Sequence, residues 1–174
     1  MFKDNSSNII PIESIYNTIL SICRNKIFYT KFDLIDTFQN RIHLIFLHIS
    51  FIFMKIKHDK TAKLSKVFYQ SLFDFIFKKI EVNMREIGYG DTTINKNMKH
   101  LVKIFYDILL NCEKYHDMNE DDKFHFFNKY LKVNTIKKML TYKDISIYFN
   151  EYESFCFDLT PDSVLQGELN FKLK

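Results

Sequence analysis

The chain has 174 residues, is 47% hydrophobic and 26% charged, and carries a formal charge of +4. That length and apolar content support one folded core and exclude a disordered chain. Three glycines and two prolines are too few for the turns of a sandwich or barrel, or for the glycine-rich loop of a doubly wound nucleotide fold.

The expected fold is therefore all-α: one compact domain over residues 1–174, with a core over about 11–171 and about six to seven helices. The opening MFKDNSSNIIPIES lacks a continuous apolar stretch and does not read as a secretory signal. Pro11, with φ already helical, is expected to start the first helix. Its apolar set Ile12, Ile15, Ile19, Ile22 and Cys23 recurs at helical spacing, ending near Asn25. A loop over Lys26–Thr37 follows, anchored by Phe28, Tyr29 and Phe32.

The second helix, about Thr37–Lys57, contains the run Ile42–Met54 and is apolar nearly all round, so it belongs at the centre. A membrane span needs about 20 apolar residues, and this run is too short. The third helix covers about Lys60–Ile87, with a stripe that includes Leu64, Val67, Phe68, Leu72, Ile76, Ile80, Met84 and Ile87. Gly88 then suits a left-handed C-cap. Asp91, Thr92 or Thr93 is expected to cap the fourth helix, whose stripe Ile94, Met98, Leu101, Val102, Phe105, Ile108, Leu109 and Cys112 is the clearest amphipathic pattern in the chain. Glu120–Leu131 reads as a short helix with acids in its first turn. Asn134 is expected to cap another helix reaching about Phe155. Thr160-Pro161 starts a last turn that stops at Gly167, and Glu168–Leu173 packs back as an extended tail.

Charge is unevenly spread: residues 1–87 carry 13 basic and 8 acidic side chains, residues 88–174 carry 12 and 13. The basic excess of the first half suits a face presented to an anionic partner. Lysine greatly outnumbers arginine, which occurs only at Arg24, Arg41 and Arg85, as AT-rich codons would produce. The three cysteines, Cys23, Cys112 and Cys156, form no CxxC pair and read as buried free thiols in a reducing compartment.

No pattern calls for catalysis, metal or cofactor. The histidines lack HExxH spacing, and there is no GxSxG elbow or P-loop. Cys112 and His116 are four apart, but Cys112 continues an apolar stripe. His43 and His48 fit bonded core or groove histidines, with a haem or metal role as the alternative. The most distinctive block is Asn83–Asp91, NMREIGYGD: an Arg-Glu pair, a helix stop, and an acid opening the next helix. Arg85, Lys96, Lys99 and His100 would give that corner a basic edge.

With these blocks in place, the chain resembles the ubiquinol–cytochrome c chaperone family, especially its short alphaproteobacterial members. Phe28-Tyr29 with Asp36-Thr37 and Arg41 is similar to the family's FY…DT…GRF start. Leu44–Lys57 is similar to its LVLH helix with a basic end, placing His48 at the family histidine. Phe73-Asp74 with Asn83–Asp91 is similar to its LFD…NLREMGVGD signature, Phe105-Tyr106 to its FYGR, and Val164–Phe171 to its close. The chain departs from the pattern at Asn40-Arg41-Ile42, where the family has GRF, at Asp107-Ile108, where it has Gly-Arg, and at Glu81, where it usually has aspartate.

The resemblance implies a non-enzymatic, cofactor-free assembly factor that binds newly made cytochrome b. It implies a second small factor and the ribosome as further partners, peripheral contact with the inner membrane on its cytoplasmic or matrix side, and no DNA. The expected partner-binding residues are Arg41, His48, Arg85, Glu86, Asp91, Lys96, Lys99 and Tyr106. The physical expectation is an apolar groove with a basic rim, fed by more aromatic residues than a core of this size needs. A generic helical interaction or membrane-surface module, and a hydrophobic-ligand binder, are the alternatives.

Overall fold

The computed structural model describes residues 6–58, 62–136 and 138–171. Its elements, in chain order, are α1 (Ser6–Cys23), α2 (Ile27–Thr30), α3 (Phe38–His58), α4 (Ala62–Glu86) and α5 (Asp91–Cys112). A 3-10 turn (Tyr115–Asp117) follows, then α6 (Glu120–Tyr130), α7 (Lys138–Asp158) and α8 (Pro161–Leu165). Six of these are full helices, and α2 and α8 are single turns. Among the described residues there is no strand, only an isolated antiparallel bridge between Leu34 and Val133.

The chain's most apolar helix organises the rest. α3 packs against α1, α4, α5 and α7, and α6 against α7. Its residues from Ile42 to Met54 are all buried, which is why the sequence shows no polar stripe there. One side of α3 sends Phe46 and Phe53 against Phe105 of α5, at 5.2 and 5.8 Å between ring centroids. Phe73 and Phe77 of α4 close that cluster. The other side sends Phe51 against Tyr115 and Phe149, and Phe149 stacks on Phe127 of α6. Edge-to-face and offset ring pairs add attraction beyond the area buried. The aromatic surplus is thus absorbed mainly by ring-on-ring packing. Among the described residues only Tyr89, Tyr106 and Phe157 of the aromatics are strongly exposed, far fewer than the composition suggested.

Several boundaries differ from the sequence expectation. α1 begins at Ser6, and Pro11 lies inside it. Proline's fixed φ is itself helical, so early in a helix it forfeits one hydrogen bond without ending the turn. Asp91 and its neighbouring threonines do not cap α5: the N-cap is Gly90, with no side-chain cap bond. Asp91 is already inside the first turn, where its charge still suits the helix dipole. Asn134 does not start α7, which begins at Lys138. Its amide instead donates to the Asp33 carboxylate, and its backbone N–H to the Asp33 carbonyl, next to the 34–133 bridge. Val67 and Ile87, assigned to the α4 stripe, are exposed. Lys60 as a helix start, the side chain of Leu64, and the tail beyond Phe171 lie outside the described residues.

Other features follow the local chemistry. Asn119 caps α6 by accepting from the Asp122 N–H, and Thr160 caps α8 by accepting from the Ser163 N–H. Gly167 has φ +76° and passes so close to α1 that an added Cβ would sit 2.6 Å from the Pro11 carbonyl oxygen. The tail then runs back over the core, with Leu169 buried and Phe171 against Tyr152 and Phe155.

Candidate partner-binding furrow

The block Asn83–Asp91 forms the corner between α4 and α5. The Tyr89 N–H donates to the Met84 carbonyl and the Gly88 N–H to the Arg85 carbonyl, both at 3.0 Å. This is a Schellman close, and Gly88 takes the required left-handed conformation at φ +94°. Arg85 reaches back to Glu81 at 2.8 Å and forward to Asp91 at 2.5 Å, bracing the corner across the turn. Both hydrogen bonds favour its charged form and raise its pKa. Its positive charge is thereby largely balanced by its own neighbours. Glu86 is exposed at the end of α4.

Beside this corner lies a recess of about 290 Å³ floored by Phe38, Ile42, Met84 and Leu101 and walled by Tyr89, Asn97 and His100. A second recess of about 100 Å³ shares Phe38 and Ile42 and continues to Tyr16, Leu20 and Arg24 of α1 and to Ile80 of α4. Together they make one apolar furrow, running from the end of α1 across the start of α3 to the corner. Val82, Ile87 and Tyr89 extend apolar surface around the corner's exposed side. The rim is basic where Arg24 and Arg41 stand at one end and His100 at the other; Lys96 and Lys99 are exposed on the same helix as His100. Arg41 is held in a fork on Asp36, at 2.6 and 2.9 Å, with its guanidinium over Tyr29. The fork lowers the Asp36 pKa.

The structure brings Arg41 to the furrow's lining and Arg85 and Asp91 to its corner, leaves Lys96 and Lys99 exposed on α5 outside the lining residues, and puts two other sequence candidates elsewhere. Tyr106 is exposed on α5 against Phe73, outside the residues lining the furrow. His48 is wholly buried, beyond reach of any docked chain. Its Nδ1–H donates to the Leu44 carbonyl at 2.7 Å, so Nε2 accepts from the Tyr148 hydroxyl, also at 2.7 Å. The Cys23 sulfur lies 3.5 Å from Nδ1. His48 therefore ties α3 to α1 and α7, and burial lowers its pKa to about 4. His43 is also buried, with its Nδ1–H on the Tyr130 carbonyl.

Of the furrow's floor only Phe38 lies outside the apolar stretches expected from the sequence; Ile42, Met84 and Leu101 fall within them as core positions. Phe38 and Ile42 stand four apart at the start of α3, on either side of Arg41, and that spacing is the signal that marks them.

All three cysteines are free and buried, and burial pushes each thiol far above its usual range. The side chain of His116 is 86% exposed, 3.9 Å from Glu153; it does not activate the buried Cys112. Among the described residues no group of three or more His, Cys, Asp or Glu is placed to hold a metal ion. No described helix is long and apolar enough to cross a membrane.

Two comparisons bear on this arrangement. The family model described as "Ubiquinol-cytochrome C chaperone" matches residues 30–123. The chain is similar in fold to a protein described as the Cbp3 homolog from Brucella abortus, known from a crystal structure. The TM-score is 0.80 and the identity 20%, covering 96% of this chain and 91% of that one. No curated protein sequence matches the chain.

Proposed function

Because the chain belongs to the ubiquinol–cytochrome c chaperone family, we propose that it is a non-enzymatic assembly factor of the ubiquinol–cytochrome c reductase and holds newly made cytochrome b. The observation that carries this reading is where the family match falls. Residues 30–123 contain α3, α4, α5 and the corner, and with them Phe38, Ile42, Met84, Tyr89, Asn97, His100 and Leu101. The matched part of the chain builds the whole of the larger recess, and α1, outside the match, adds only the furrow's far end.

An apolar floor with a basic rim suits a client that is greasy, still unfolded and not to be altered. Apolar side chains of the client gain by leaving water, and the rim fixes orientation more than affinity. In this reading Arg41, Lys96 and Lys99 face the client. Arg85, Glu86 and Asp91 shape the corner, and His48 supports the floor from beneath. Tyr106, on another face, is available to a second small factor or to the ribosome. The protein works at the inner membrane as a peripheral component, on the side where the client emerges.

The test is affinity capture from native membranes with the full chain, comparing wild type with Phe38→Ser/Tyr89→Ser and with Arg85→Ala. Wild type is expected to retain cytochrome b. The furrow variant should lose it while keeping its helical circular dichroism spectrum. Deletion of the gene should lower assembled cytochrome b selectively. Normal reductase spectra after deletion overturn the proposal.

A further inference from the structure

A second surface lies outside the residues that line the furrow. Between Asp122 and Asp144 the sequence has no carboxylate for 21 residues but six lysines: 123, 129, 132, 137, 138 and 143. That concentration occurs in the half of the chain with no basic excess. Lys123 is buried against Tyr115 and Asn150, and Lys129 pairs with Asp107 at 2.6 Å. Lys132, Lys138 and Lys143 are exposed.

Among these lysines the chain makes a greasy tip. Ile136 is 98% exposed, Met139 64% and Leu140 63%, although large aliphatic residues normally turn inward. The tip stands on a firm base. Leu131 and Val133 are buried, the Tyr142 hydroxyl donates to the Leu131 carbonyl at 2.7 Å, and the 34–133 bridge pins the strand-like stretch before it. α7 then begins with no acid in its first turn, where the helix dipole favours negative charge. The nearby acids include Asp33, at the base beside Asn134; Asp36, which Arg41 holds and whose neighbour Ile35 bonds the Lys132 carbonyl; and Asp144, one turn further along α7.

We propose that this tip docks on an anionic lipid surface, with Ile136, Met139 and Leu140 entering the headgroup–acyl boundary and Lys132, Lys138 and Lys143 contacting lipid phosphates. The pairing of exposed aliphatics with flanking lysines favours lipid over the alternatives. Nucleic acid would use the lysines but would leave three aliphatic side chains in water, whereas a bilayer takes both, the aliphatics below the headgroups and the lysines at the phosphates. The inference deepens the peripheral placement proposed above, and its test is independent of any client.

The experiment is co-sedimentation of the full chain with vesicles of phosphatidylcholine alone, and of equal parts phosphatidylcholine and phosphatidylglycerol. Binding is expected to the mixed vesicles only, weakening as salt is raised. The variant Lys132→Glu/Lys138→Glu/Lys143→Glu should bind about a hundredfold more weakly. The variant Ile136→Ser/Met139→Ser/Leu140→Ser should lose most binding with an unchanged circular dichroism spectrum, since these side chains are in water already. Three results overturn the proposal: equal binding to both vesicle types, no binding, or full binding by the serine variant. It is also overturned if an oligoribonucleotide binds wild type and serine variant alike and displaces the protein from vesicles. Loss of cytochrome b capture with vesicle binding intact would strike the client assignment and leave this surface standing.

Discussion

Lowering the pH should loosen this protein through one side chain, His48. Its ring is wholly buried, with both nitrogens bonded as the neutral form requires. Burial lowers its pKa from 6.5 to about 4. Between those values the unfolded chain takes up a proton that the folded chain refuses, so stability falls as pH falls through this window. At pH 7 the effect is absent. At pH 5 it amounts to about 2 kcal/mol, and it levels off below about pH 4. The assay is urea unfolding followed by circular dichroism at pH 7, 6 and 5, on wild type and His48→Phe. The variant is less stable throughout, because Tyr148 loses its partner, but its loss between pH 7 and 5 should be about 2 kcal/mol smaller. His43, lowered by burial, and Glu153, raised by burial, titrate in both proteins and cancel in the comparison. Equal losses in the two proteins would refute the account of His48 as a neutral, fully bonded core group.

Other consequences are equally direct. Phe105→Ala empties the point where Phe46, Phe53, Phe73 and Phe77 converge and should cost about 3–5 kcal/mol in urea unfolding. Gly88→Ala should cost about 1–2 kcal/mol, from its positive φ alone, since nothing lies within 4 Å of an added Cβ. Gly90→Ser, at an N-cap with no side-chain bond, should instead stabilise by about 0.3 kcal/mol. Gly167→Ala combines positive φ with a clash against the Pro11 backbone, so it should release the tail, seen as faster proteolysis after Asp158.

How far the sequence foretold this structure depends on what decided each position. α3, α4 and α5 were legible because long runs of apolar side chains impose one period. Gly88 was legible because a helix stop at that point has few other solutions. The caps were less so: Asp91 had two uses, and the ion pair with Arg85 prevailed over capping. Asn134 likewise serves Asp33, a residue 101 positions away, and no local pattern announces such a partner. Pro11 misled because a proline tolerated within a helix looks the same in sequence as one that begins it. For the site, charge marked the rim, but the floor came from Phe38 and Ile42, which any amphipathic helix start might carry. His48 was found by resemblance, and only its surroundings show that it acts from inside. The sequence assigns Ile136, Met139 and Leu140 to a capped helix, because exposure of aliphatics is invisible without the fold.

Asn40 offers a last consequence. Its buried side-chain amide donates to the carbonyls of Ile35 and Lys132, at 2.7 and 2.8 Å, and its oxygen accepts from the Lys132 N–H at 3.0 Å. No other natural side chain of its length offers both halves of that bargain; aspartate would aim a negative oxygen at two carbonyls. During synthesis Asn40 leaves the ribosome 92 residues before its partner does. Until then only the bond to the Ile35 carbonyl can form, so the tie between the start of α3 and the stretch after α6 cannot close before residue 132 has been made. The start of α3 is thus sealed late, by one amide.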